Sequence, residues 1–143
     1  MYRDQRLSGL LAYLGAMPFW ALALGRFVGL DPTWTMSAFL AYGTGIACFM
    51  AGTIWSQAQV RTGSPLGLLL FSNGVALTAI AALLLHPAFS TTALVLQAAT
   101  FPLLLLADYR IFRGGDQPGW YFGLRRNVTV IVVVAYGIAI ATG

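Results

Sequence analysis

The sequence predicts an all-α fold, a polytopic membrane helix bundle of about five transmembrane helices with the N-terminus inside and the C-terminus outside. Three observations predict it: an apolar composition, charges confined to short stretches, and arginines that collect in alternate connections. Of the 143 residues, 59% are hydrophobic and 8% are charged, whereas about a quarter of the residues of a soluble domain are charged. The intervals between the charged stretches are apolar runs of about membrane-spanning length. One transmembrane helical bundle over residues 1–143 is the natural domain organisation.

The first span is expected from about Leu7 to Leu24, between Arg6 and Arg26, with a kink at Pro18. The second runs from about Thr35 to Gln57, the third from Leu66 to Leu85, and the fourth from about Thr91 to Ala107 with Pro102 inside it. A fifth covers about Asn127 to Thr142. At about 1.5 Å per residue these roughly sixteen residues reach only about 24 Å, so the helix is expected to start earlier, taking in WYFGLRR as an interfacial turn. The N-terminal segment carries charges before an apolar stretch, as a signal peptide does. It is too long for that and lacks a clean cleavage pattern, so it reads as a retained span.

Orientation follows from the arginines. Arg3, Arg6, Arg61, Arg110, Arg113, Arg125 and Arg126 fall on one side and Arg26 alone on the other, so the N-terminus and the loops before spans three and five are expected inside. Trp20, Trp34, Trp55, Trp120 and Tyr121 lie toward span ends, where aromatic residues anchor at the interface. The longest expected connection is Asp108 to Arg126, the one sizeable exposed surface, turning at GGDQPGW. An ion pair of Asp108 with Arg110, Arg125 or Arg126 would pin it to the adjoining spans.

The eight cations are all arginines that flank apolar helices rather than forming a basic stripe on a soluble face, so no nucleic-acid partner is expected. Cys48 is the single cysteine, and an intramolecular disulfide is excluded. His86 is the single histidine, before Pro87 at a helix end; it reads as an interfacial polar residue rather than a ligand. Met17, Met36 and Met50 form no close motif and read as packing. No nucleophile and base pair, paired carboxylates or phosphate loop is evident, so the chain is expected not to be an enzyme and to hold no cofactor and no metal.

Polar groups within the spans are costly without partners. Thr44, Thr53, Gln57, Ser72, Asn73, Thr78, Gln97 and Thr100 are such groups, and interhelical hydrogen bonding is their expected role. Asn73 and Gln97 are in addition candidates to line a small polar cavity. In the second span Ala41, Gly45, Cys48, Gly52 and Ser56 form a small-residue stripe that permits close helix approach, with Tyr42, Phe49 and Trp55 on neighbouring faces. The fifth span, VTVIVVVAYGIAIA, has little to specify packing within its own bundle. It is expected at the periphery, where Arg125, Arg126 and Gly137 form a partner-binding surface.

Three segments carry a family resemblance. They are LGAMPFWALAL around Pro18 and Phe19, AYGTGIACFMAGTIW with Tyr42, Phe49, Gly52 and Trp55, and ADYR followed by PGWYFGLRRNVT. In their order and spacing the chain resembles the domain of unknown function 3429 family of small multi-pass membrane proteins. The resemblance implies a bacterial inner-membrane setting, with mitochondrial inner-membrane relatives as the less favoured one, and no assigned activity. The function expected is a non-catalytic accessory subunit or assembly factor of a larger energy-transducing membrane complex, respiratory or photosynthetic. Its partners are then the lipid bilayer and other membrane protein subunits. The alternative is a small carrier or binding protein for a lipid, quinone or other apolar molecule.

Overall fold

Asp31 starts the longest helix: its carboxylate accepts from the Trp34 backbone N–H at 2.6 Å, and Pro32 occupies the first helical position, where its missing N–H costs nothing. The computed structural model describes residues 2–60 and 65–143, with side chains from Asp4 onward; Arg61 and the Arg3 side chain lie outside the described residues. Five helices follow one another: α1 (Tyr2–Gly25), α2 (Pro32–Val60), α3 (Leu66–Leu85), α4 (Ser90–Arg113) and α5 (Gly119–Thr142). Each is long and apolar enough to cross a membrane.

The α3 bounds are those read from the sequence, but the other helices overrun their apolar spans. The reason is that charge marks where the bilayer core ends, whereas backbone hydrogen bonding continues until a residue stops it. Thus α4 runs on through DYRIFR to a glycine terminus: Gly115 adopts φ +83°, its N–H bonds the Phe112 carbonyl at 3.0 Å, and the Asp116 N–H reaches the Ile111 carbonyl at 3.4 Å. This is the Schellman arrangement. The segment from Asp108 to Arg126 is therefore mostly helix, and the connection shrinks to Gly114–Pro118. A second such stop follows α1 after a short 3-10 turn (Arg26–Val28), where Gly29 has φ +88° and the Leu30 N–H returns to the Gly25 carbonyl.

Short connections run the helices alternately up and down. They close into a ring in which α1 packs on α2 and α5, α3 on α2 and α4, and α4 on α5, while α2 also reaches α4 across the middle. Buried alanines line the contacts, among them Ala47, Ala51, Ala79, Ala93, Ala107 and Ala135. Small side chains let backbones approach where lipid offers no hydrophobic drive to associate.

Among the alanines sits a cluster of rings. Phe19 has no exposed surface and meets Phe39, Tyr42, Phe101 and Tyr136 at centroid distances of 5.1–5.8 Å. Beside this cluster the Tyr42 hydroxyl donates to the Gly15 carbonyl at 2.8 Å, in the turn that Pro18 disturbs. Trp20 is no interfacial anchor: its indole N–H donates to the Ile131 carbonyl of α5 at 3.2 Å.

On α2 the residues facing the core include Gly43, Ala47, Ala51 and Ala58. The stripe read from the sequence lies elsewhere. Ala41, Gly45, Gly52 and Ser56 are exposed, Cys48 is half-buried, and a side chain added at Gly45 or Gly52 would meet nothing within 4 Å.

Candidate functional site

Where α4 and α5 meet their connection, a carboxylate and a guanidinium are buried together. Asp108 has no exposed surface and Arg125 is 8% exposed. The Asp108 Oδ2 accepts from Arg125 Nε at 2.8 Å and lies 2.7 Å from Nη2. The other oxygen, Oδ1, accepts from Gln117 Nε2 at 3.4 Å, and the same amide donates to Gln57 Oε1 at 2.8 Å. The pair thus ties the end of α2 to the α4–α5 connection. Burial makes this expensive unless the pairing is complete, and two atoms fall short of it. Gln117 Oε1 is buried with no hydrogen-bond partner among the described residues. Arg125 Nη1 meets, among the described residues, only the Met50 sulfur, a weak acceptor.

A neutral network occupies the bundle centre. Gln97 Nε2 donates to Thr44 Oγ1 at 2.7 Å and to the Leu40 carbonyl at 3.0 Å, and its Oε1 accepts from the Tyr136 hydroxyl at 2.5 Å. Gly43 makes room for it: a methyl there would sit 2.1 Å from the Tyr136 oxygen and 2.4 Å from Gln97 Oε1. Gln97 and Thr44 accordingly bond between helices, as expected of intramembrane polar groups. Thr53, Ser72, Asn73, Thr78 and Thr100 bond back to carbonyls of their own helices instead. Hydroxyls satisfy their donor in this way one turn back, and the Asn73 amide satisfies one of its two N–H groups.

At the opposite end His86 Nε2 lies 3.3 Å from Ser37 Oγ, and its Nδ1 is buried with no partner among the described residues. Among the described residues, no group of three or more His, Cys, Asp or Glu side chains converges.

The sequence-derived site residues separate. Gln97 has no exposed surface and its amide is used up in the central network. Asn73 is exposed and lines a recess of about 270 Å³ with Cys48, Gly52, Trp55 and Ala76. The two do not share a polar surrounding: Gln97 bonds to Leu40, Thr44 and Tyr136, and the recess at Asn73 does not include it. Arg125 is no surface cation, since Asp108 draws it inward. Arg126 and Gly137 do face outward, and a side chain at Gly137 would enter open space. Nor is α5 loosely specified: Arg125, Thr129, Val132, Ala135, Tyr136 and Ala139 form a buried face.

Sequence reading missed Gln117, Met50 and Tyr136 as partners of these groups. The spacing of Thr129, Val132, Tyr136 and Ala139 marks the inward face of α5, and the same face projects back to Arg125.

A cavity of about 420 Å³ lies between α1, α2 and α5, walled by Phe19, Phe49, Met50, Tyr121, Arg125 and Val128 among others. It exists because α1 stands off: from Asp4 to Gly15 no side chain is buried.

Comparison with curated proteins and with solved structures gave no match. A family profile matches residues 5–141, nearly the whole chain, and carries the description "Protein of unknown function (DUF3429)". The five-helix bundle with its buried Asp108–Arg125 pair therefore belongs to the DUF3429 family of proteins of unknown function.

Proposed function

We propose that the protein is a non-catalytic accessory subunit or assembly factor of a larger membrane complex, docked through the outward faces of α2 and α3. The observation that carries this reading is the position of Asn73. Its carboxamide stands exposed near the middle of α3, and among the described residues it makes one hydrogen bond, from Nδ2 to the Leu69 carbonyl. In hydrocarbon the remaining N–H and the oxygen go unsatisfied, and polar groups at such depth nearly always face protein. The outward small residues of α2 border the same recess, so a neighbouring helix can approach closely enough to reach the amide. Exposed Trp55 lines the same recess.

The membrane is the bacterial inner membrane, with the arginine-rich end cytoplasmic. The arginine bias supports the orientation, and the inner-membrane setting implied by the family resemblance supports an energy-transducing complex as the host. Extraction in mild detergent followed by native electrophoresis tests the reading. Wild-type protein is expected to migrate well above monomer mass, and Gly52→Leu to shift it to the monomer position. Migration of the wild type as monomer alone would remove the reading.

A further inference from the structure

The cleft between α1, α2 and α5 combines three properties not explained by helix packing. It has the volume of a small-molecule site, about 420 Å³. Its walls are apolar, with aromatic rings from Phe19, Phe49 and Tyr121. A guanidinium more than nine-tenths buried lines it, and one nitrogen of that group, Nη1, has among the described residues the Met50 thioether alone for an acceptor. Met50 and Arg125 both line this cleft, and both also border a smaller recess on the α4 side. A buried cationic N–H facing sulfur invites a better acceptor, because charged donors bond oxygen about twice as strongly as neutral ones do.

The charge balance selects the acceptor. Asp108 already neutralises Arg125 at 2.7 Å, so a phosphate or carboxylate entering here would meet a site of no net charge in a low dielectric and would lose its hydration without a counter-ion. A neutral carbonyl suffers no such cost. The rings on the wall suit a flat head, and Phe19 and Val132 carry the apolar lining toward mid-membrane, where a hydrocarbon tail belongs.

We propose that this cleft binds a neutral carbonyl-bearing ring with a hydrocarbon tail, a molecule of the prenylquinone class, with a ring carbonyl accepting from Arg125 Nη1. The site is separate from the α2/α3 docking face, and it stands or falls independently of that face. The protein in lipid nanodiscs is titrated with decyl-substituted benzoquinone, and quenching of tryptophan fluorescence is followed; decylbenzene, which lacks the carbonyls, is the control. Saturable quenching near one equivalent is expected with the quinone only. Ala12→Phe, which fills the cleft from α1, and Phe49→Ala, which removes a largely exposed wall ring, should each weaken binding about tenfold or more. Gly52→Leu, on another face of α2, should leave it unchanged. Equal quenching by decylbenzene, or unchanged affinity in both cleft variants, overturns the proposal. So does a phospholipid that mass spectrometry finds retained at one equivalent and that the quinone fails to displace.

Discussion

Arg125 grips a single oxygen of Asp108 with two of its nitrogens, at 2.8 and 2.7 Å, and leaves the second oxygen to Gln117. Seventeen residues separate the partners, and the glycine-terminated turn between them folds the two helices back so that they meet. Because the carboxylate is wholly buried, the pair is a fixed part of the bundle rather than a loop clasp.

Breaking the pair from one side should be costly. Asp108→Leu leaves a buried, uncompensated guanidinium and is expected to destabilise by about 3–5 kcal/mol. Adding Arg125→Leu should recover most of that loss, since two apolar side chains replace two charges. Thermal unfolding of both variants in detergent checks the order; a double variant as unstable as the single one would contradict it.

The central network should respond to both its hydroxyl and its glycine. Tyr136→Phe removes the bond to Gln97 and should cost about 0.6–2 kcal/mol. Gly43→Ala places a methyl against both polar atoms and should cost about 1–3 kcal/mol. Gly45→Ala, into open space two residues on, should change the unfolding temperature little.

At the α4–α5 turn, Gly115→Ala forces a side chain into the left-handed region and should destabilise by about 1–2 kcal/mol. Gly114→Ala should be nearly neutral, because φ is −74° there. The comparison reads out the backbone requirement alone.

Topology is checked by reporters active only in the cytoplasm. One inserted near Gly115 should work, and one fused after Gly143 should stay silent, given seven arginines at one end and one at the other. The reverse pattern would invert the orientation.

Much of the fold was legible because membrane spans declare themselves by length and charge: five helices were expected and five are found, with α3 at its expected bounds. The inward faces were less so. On α2, two small-residue stripes share one helix, Gly43–Ala47–Ala51 and Gly45–Cys48–Gly52, and in lipid both faces of a helix are apolar, so hydropathy does not say which one turns in. Arg125 was legible in part. It reads both as a surface cation beside Arg126 and as one of three arginines able to pair with Asp108; the pairing is found, and the continuation of α4 past Asp108 is what brings this one within reach. Gln97 was recognised as a costly polar group, but its partner Tyr136 lies far along the chain, where the spacing of Thr129, Val132 and Ala139 marks an inward face without naming what that face meets.

The docking face of α2 and α3 is the central claim, and photo-crosslinking in native membranes tests it most directly. A photoreactive residue is placed at Asn73 or Gly52, and, for comparison, at Val133 on the exposed face of α5. The account predicts a discrete adduct with another membrane protein from Asn73 and Gly52, and lipid adducts alone from Val133. Lipid adducts alone from all three positions would contradict it.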